Sequence, residues 1–97
     1  MPLVPVVPEE SEEVRIWKFQ LEVKDFNRVK MPEKAQILSV AIQYDTICIW
    51  AVCPVASETF TRTFQLIGTG HPIHKAERRY IGTVVVGAFV WHVFEVL

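Results

Sequence analysis

Apolar and polar residues alternate along much of this chain, in short runs that are separated by turn-forming residues. In the segment 14–23, VRIWKFQLEV, the side chains of Trp17, Phe19 and Leu21 fall on one row and polar residues such as Lys18 fall on the other. A period of two residues is typical of a β-strand with one buried face. The first regular element is therefore predicted to be a strand.

Further apolar runs predict the remaining strands. They cover residues 35–43, 47–53, 62–68, 79–86 and 88–96, with a short strand that ends at Pro32. The sequence YDT at residues 44–46 predicts a tight turn, and Gly87 predicts a hairpin between the last two strands. Residues 24–29 and 55–61 are expected to be a turn and a loop, because their polar residues bond readily to their own backbone.

Five to seven strands joined by short turns predict an all-β fold, either a small antiparallel sandwich or a partly closed barrel. Residues 74–80 are expected to form at most one short helical turn. The final hairpin is apolar on both faces. At a free sheet edge it would favour pairing with a second copy, so we expect a homodimer.

The first thirteen residues, MPLVPVVPEESEE, are rich in Pro and Glu and predict a flexible tail, which leaves residues 14–97 as a single β domain. The apolar part of this tail is too short, and too interrupted by proline, for a signal peptide or a membrane span. Cys48 and Cys53 are five residues apart in one predicted strand and should point to opposite faces. They are expected to be reduced thiols of an intracellular protein.

The net charge of −1 argues against a dedicated nucleic-acid binder. Residues 1–13 contain no Lys or Arg, so the rest of the chain carries a small excess of positive charge. That excess is weak evidence for an anionic partner.

The stretch QLIGTGHPIHKAERRYIG, residues 65–82, holds the best candidate site. Its glycines permit backbone angles that expose consecutive amides to an anion, and arginine suits bidentate binding of phosphate or carboxylate. The candidate binding residues are Arg62, Gly68, Thr69, Gly70, His71, His74, Arg78 and Arg79. The alternative is a plain connection whose glycines set a turn and whose proline stiffens it.

Other chemistries find less support in the sequence. His71, His74 and His92 would suffice as zinc ligands, but His92 lies in an apolar strand and is expected to be a hydrogen-bonded core residue. No nucleophile has a base and an orienting group nearby, so we expect no enzyme. The glycine-rich loop lacks the Gly-Lys-Ser/Thr signature of a P-loop. No metal and no cofactor are expected.

Several segments together resemble a family of short uncharacterised proteins of tailed phages and prophages. They are IWKFQLEV, MPEKAQILSV, ICIWAV, IGTGHPI and RYIGTVVVGAFVWHVFEV, in this order across residues 16–96. The resemblance implies a location in the host cytoplasm and a small accessory role. It implies no activity and no catalytic residues, and the Pro-rich start departs from the usual short start of such proteins.

The resemblance, the candidate loop and the apolar final hairpin lead to three hypotheses. In the first, the chain is a non-catalytic counter-defence protein that binds and inhibits a host immune protein such as a CRISPR effector, with an arginine anchor. In the second, it is a sponge that sequesters a nucleotide immune signal through the GTGHPI loop. In the third, it is a minor virion or assembly protein.

Overall fold

A computed structural model describes residues 13–97, which form seven β-strands and no helix. The strands are β1 Val14–Leu21, β2 Phe26–Pro32, β3 Gln36–Gln43, β4 Thr46–Pro54, β5 Thr59–Gly68, β6 Arg78–Val86 and β7 Phe89–Val96. The predicted all-β fold is therefore confirmed, at the upper end of the expected number of strands.

The strands form two antiparallel sheets. One has the order β1–β4–β3 and the other has the order β2–β5–β7–β6. Two separate sheets packed over one core make the fold a sandwich and not a barrel. The sheets approach closely where β3 faces β6, because Gly82 has no side chain. A Cβ atom at Gly82 would lie only 2.7 Å from Val40 Cγ1.

The core lies between the sheets and is filled by alternate residues of each strand. Its most buried members include Met31, Ile47, Ile49, Phe64 and Val93. The predicted inner row of β1 is buried at Leu21 and packs against the core at Phe19. The same row remains 38 % exposed at Trp17, because β1 is the outermost strand of its sheet.

The two cysteines of β4 lie on opposite faces of their sheet, as their spacing predicts. Cys53 belongs to the core, and Cys48 is buried on the outer face. Both thiols are free. Burial raises the pKa of the Cys53 thiol, although a backbone hydrogen bond and the charge of Arg62 act in the other direction.

The expected turn at residues 24–29 is wrong, because β2 begins at Phe26 and the turn occupies only residues 22–25. Asn27 nevertheless acts on this turn from within the strand. Its Oδ1 accepts a hydrogen bond from the Glu22 amide at 2.8 Å, and its Nδ2 donates to the Glu22 carbonyl at 3.0 Å. Asn27 thus has a strand backbone, and only its side chain takes part in the preceding turn.

The expected loop at residues 55–61 is also too long, since β5 begins at Thr59. The first three residues of β5 pair with the last three of β2. The end of β2 and the start of β5 are therefore in strand conformation because they are hydrogen-bonded to each other. This pairing joins distant parts of the sequence, and local turn signals do not reveal it.

Strands β6 and β7 form the predicted hairpin. Gly87 has φ 60° and occupies the first position of a two-residue turn, where a type II′ turn requires glycine. Strand β7 pairs with β5 on one side and β6 on the other, so only β6 lies at a sheet edge. The argument for a homodimer from an exposed final hairpin is weakened accordingly, and the homodimer itself stays a prediction.

The predicted tail lies outside the described residues, apart from Glu13. The Glu13 carbonyl accepts a hydrogen bond from the Val55 amide at 2.9 Å, and its carboxylate pairs with Arg15 Nε at 2.8 Å. From Glu13 onward, the chain contains no helix that could cross a membrane.

Candidate functional site

Four connections between strands meet at one end of the sandwich, which we call the loop end. They are turn 22–25, turn 44–45, the start of segment 69–77, and turn 87–88. They share this end because β1 ends and β2 begins here, at turn 22–25, and the neighbouring strands within each sheet are antiparallel. The Leu66 amide donates to the Asp25 carbonyl at 3.0 Å, and the Thr69 amide donates to Val90 at 3.2 Å. The other end, which holds residues 33–35 and 55–58, is called the opposite end.

Large apolar side chains are exposed at the loop end. They are Val23, Phe26, Tyr44 and Phe89, of which Tyr44 is 90 % and Phe89 is 67 % exposed. The Phe89 ring stacks on Trp91, with ring centroids 6.3 Å apart. Exposed aromatic side chains bury a large area at a small entropic cost, and they dominate many protein interfaces. The loop end therefore has the composition of a protein-binding surface.

Turn 44–45 holds two residues other than glycine in the left-handed region, with φ 50° at Tyr44 and φ 60° at Asp45. Positive φ at both positions defines a type I′ turn, where Asn and Gly are preferred. Asp tolerates this conformation, whereas a residue such as Tyr costs about 1–2 kcal/mol. The phenol ring makes no contact that compensates this cost, since it is almost fully exposed. Folding gives no reason for a tyrosine here.

Segment 69–77 carries most of the predicted site residues and crosses the outer face of the four-stranded sheet. It starts beside Trp91 of β7 and ends beside Val96 of the same strand. These positions are separated by about 17 Å at the usual rise of a strand. Gly68, Thr69, Gly70 and His71 lie at the loop end, His74 lies between, and Arg62, Arg78 and Arg79 lie toward the opposite end. The structure separates the glycines from the arginines.

The two glycines of the candidate loop have different roles. Gly70 has φ 87° and faces open space, so it needs the conformational freedom of glycine. At Gly68 a Cβ atom would lie 3.0 Å from His71 Nδ1 and 3.3 Å from the Trp91 ring. The His71 ring meets Trp91 edge-on, with centroids 6.5 Å apart. Gly68 therefore makes room for this aromatic contact.

His92 is hydrogen-bonded at both ring nitrogens. Its Nε2 lies 2.8 Å from Thr69 Oγ1, and its Nδ1 lies 3.0 Å from Thr83 Oγ1, which is 2.6 Å from the Tyr80 hydroxyl. A hydroxyl, an imidazole and an orienting group in series also describe an activated nucleophile. Here the orienting group is neutral and offers no charge to stabilise an imidazolium. The chain of bonds instead fastens the start of segment 69–77 to the sheet.

Three cavities border segment 69–77. One of about 260 Å³ has apolar walls at Ile67, Ile73 and Phe94. A second, of about 250 Å³, lies between this segment and turn 22–25. The third, of about 210 Å³, lies between the start of the segment and turn 87–88. All three are smaller than the roughly 300–1,000 Å³ that is typical of small-molecule sites. They suit a single ring or one side chain of a partner better than a whole nucleotide.

Arg78 fixes the return of segment 69–77 into the sheet. Its Nε donates to Gln65 Oε1 at 3.2 Å, and a terminal nitrogen donates to the His74 carbonyl at 2.8 Å. The guanidinium also lies over the Phe94 ring, 5.8 Å from its centroid. Both hydrogen bonds and the ring contact hold Arg78 in one orientation on the surface.

At the opposite end, Arg62 and Glu95 form a buried ion pair. Arg62 donates to both carboxylate oxygens, at 2.6 and 2.8 Å, and to the Ala35 carbonyl at 2.6 Å. The two side chains are only 16 % and 7 % exposed. Bidentate geometry and burial make this pair a clamp between strands, because removing either member leaves an unmatched buried charge. The charge of Arg62 is already matched within the chain.

Arg79 lies next to this ion pair, opposite Glu95 in the register of β6 and β7. Its side chain forms no hydrogen bond or ion pair with any residue from 13 to 97. Together with Arg62 it borders an opening of about 320 Å³ between the sheets. Of the three predicted arginines, Arg79 is the one whose side chain has no hydrogen-bond partner among the described residues.

The three histidines do not converge on a metal site. In the described part of the chain, no group of three His, Cys, Asp or Glu side chains is arranged to hold an ion. His71 packs on Trp91, and both nitrogens of His92 are already hydrogen-bonded.

Sequence reasoning did not single out Tyr44 or Phe89 as functional residues. A signal for Tyr44 is present, since the pattern predicts a tight turn at YDT and a tyrosine is unfavourable in such a turn. For Phe89 no comparable signal exists. Its exposure depends on how far the last hairpin projects past the neighbouring sheet.

Comparison with known proteins finds one family. Residues 13–97, the same range that the structure describes, match the family described as a domain of unknown function, DUF7352. No curated protein and no solved structure matches the chain.

Proposed function

The chain belongs to the DUF7352 family, and we propose that it is a non-catalytic binding module whose loop end contacts a partner protein. One observation carries this proposal: Tyr44 is 90 % exposed and sits at φ 50° in a turn that disfavours it. Such a residue lowers the stability of the free chain and buries no surface there. Burial of its ring against a partner on binding would account for its presence.

The loop end is supported from both sides, which favours tight binding. The bond between Thr69 and His92 fixes one connection, and the stacked Phe89 and Trp91 rings fix another. A surface that is ordered before binding pays less entropy on association. The exposed aromatic residues of this end therefore lose less conformational freedom when a partner buries them.

The resemblance to short phage and prophage proteins suggests the class of partner. We propose a host defence protein, such as a CRISPR effector, which the chain inhibits in the host cytoplasm by covering a surface. The small cavities beside segment 69–77 are suited to receive side chains of such a partner. Arg79 lies far from this end and is not part of the proposed contact.

The test compares two variants in the capture of a partner from host lysate. Tyr44→Asn removes the exposed ring and should weaken capture about tenfold or more, as expected for a central interface residue. Phe60→Ser is the matched control, because Phe60 is 49 % exposed but lies near the opposite end, where β5 begins. Equal capture by Tyr44→Asn and the unchanged chain would contradict the proposal.

A second candidate function is sequestration of a nucleotide at segment 69–77. The observation that favours it is the positive φ of Gly70 in open space, beside the hydroxyl of Thr69. A ligand that binds only the folded chain raises its melting temperature. A panel of cyclic and ADP-ribose-type nucleotides should then give a clear rise, which Thr69→Val should reduce. No rise with any member of the panel would remove this candidate.

A further inference from the structure

The two sheets have four edge strands, and three of these edges are protected against pairing with another chain. Strands β3 and β6 each carry a break in register, at Ile37/Ser39 and at Tyr80/Gly82. The two strands also pack on each other where Val40 faces Gly82. Bulges and coverage are established ways to block an edge.

Strand β2 is protected by its composition. Because the Leu66 amide donates to Asp25, the odd-numbered residues of β2 direct their backbone groups to β5, and the even-numbered residues direct them outward. The outward positions are Phe26, Arg28, Lys30 and Pro32. This edge is unsuitable for pairing with another chain, because it carries two cations and a proline, which has no amide proton. The two cations form no ion pair within residues 13–97.

Strand β1 has none of these protections. All eight of its residues pair with β4 without a break, and from residue 13 to residue 97 no strand covers its other side. The Val55 amide donates to Glu13, so the even-numbered residues direct their backbone groups outward. These outward positions are Val14, Ile16, Lys18 and Gln20.

The two cations of β1 do not guard its edge. Lys18 Nζ donates to Gln43 Oε1 at 2.8 Å, which draws its charge across β4 and away from the free side. Arg15 is paired with Glu13 at 2.8 Å. Ile16 is 62 % exposed beside them. The edge thus offers apolar side chains and unpaired backbone groups.

We propose that the free edge of β1 pairs with β1 of a second copy of this chain, in antiparallel orientation about a two-fold axis at Trp17. The two three-stranded sheets then form one continuous sheet. Opposed residues in a sheet point to the same face, so only certain registers are allowed. The axis at Trp17 places Ile16 opposite Lys18 and Val14 opposite Gln20, and it uses all four outward positions.

The neighbouring registers are worse. An axis at Lys18 places Val14 opposite residue 22, which lies beyond the end of the strand. An axis at Ile16 leaves Gln20 without a partner inside the strand. Among these registers, the axis at Trp17 alone pairs all four outward positions within β1.

This pairing has a consequence for the function proposed above. Because the two copies are antiparallel, their loop ends point in opposite directions and can hold two partners at once. The bivalence rests on the proposed function, whereas the pairing does not.

The first test is a cross-link at the axis. Opposed residues of a non-hydrogen-bonded antiparallel pair have Cα atoms about 4.5 Å apart, within the range that a disulfide spans. In Trp17→Cys the new thiol is the accessible one, since Cys48 and Cys53 are buried. Mild oxidation should give a covalent dimer in high yield. Ser39→Cys, on the protected β3 edge, is the control and should remain monomeric in denaturing gels. Equal yields from both variants, or no dimer from Trp17→Cys, would overturn the proposal.

The second test addresses the register by sedimentation equilibrium. Ile16→Lys places a second cation opposite Lys18 of the other copy, twice per dimer, and should raise the dimer Kd by about tenfold or more. Ile16→Glu places an anion there and should leave the Kd within about threefold of its original value. Phe26→Lys on the β2 edge is the charge-matched control and should have no effect. A monomer at all concentrations, or equal effects of all three variants, would overturn the proposal.

Discussion

At the opposite end of the sandwich one pair of charged side chains is turned inward and bonded, whereas at the loop end the aromatic side chains are turned outward. Arg62 and Glu95 are buried against each other, while Tyr44 and Phe89 have most of their surface in solvent. The first arrangement contributes to the free energy of unfolding, and the second does not. One end is thus fastened by buried polar contacts between β5, β7 and Ala35, and the other carries the exposed aromatic residues on which the proposed function rests.

The two tight hairpin turns at the loop end sharpen this comparison. Both have two residues and both need a positive φ at the first position. Turn 87–88 has Gly87 there, as the backbone requires, whereas turn 44–45 has Tyr44. The turns differ in type, I′ at residues 44–45 and II′ at residues 87–88, but both require positive φ at the first position, and Tyr44 meets this requirement less well than Gly87 does.

The largest expected effect follows from breaking the clamp at the opposite end. Glu95→Ala leaves the buried guanidinium of Arg62 without its partner and should lower the free energy of unfolding by roughly 3 kcal/mol. Urea denaturation measures this loss. Glu77→Ala is the control, because Glu77 is exposed and uses its backbone carbonyl to bind the Leu97 amide. A loss at Glu95 as small as at Glu77 would show that the opposite end is not the stabilising one.

A smaller loss of the free energy of unfolding is expected in the β6–β7 hairpin, where glycine occupies the position of positive φ. Gly87→Val forces a branched residue to φ 60° and should cost about 1–2 kcal/mol. Ala88→Val in the same turn is the control, because Ala88 does not have a positive φ and should change little. Thermal denaturation of both variants makes the comparison. If Gly87→Val is as stable as Ala88→Val, the conformational argument for these turns fails.

The alternation of apolar and polar residues predicts most of the strands, because each strand has one face toward the core. It also predicts the turns at residues 44–46 and at Gly87, whose signals are local. It fails where a strand depends on a distant partner. The first residues of β2 look polar and turn-like alone, and they become a strand by pairing with the later part of β5. The first residues of β5 do the same by pairing with the last residues of β2.

The candidate site is predicted only in part, for the same reason. The sequence places a connection after the strand that ends at Gly68, and the structure has it there, but the distance of this connection from Arg78 depends on the length of the strands beside it. The partnership of Arg62 with Glu95 joins residues 33 positions apart, so no local pattern shows that this charge is matched. The exposure of side chains at the loop end, such as Tyr44 and Phe89, likewise depends on how the two sheets overlap, which is not a local property of the sequence.

The most direct test of the account is the free energy of unfolding of Tyr44→Asn. Asparagine adopts the left-handed conformation of this turn readily, and the phenol ring makes no compensating contact in the free chain. The account predicts that the variant is more stable than the original chain by about 1 kcal/mol. A variant of lower stability would show that Tyr44 serves the fold, and it would contradict the assignment of the loop end to binding.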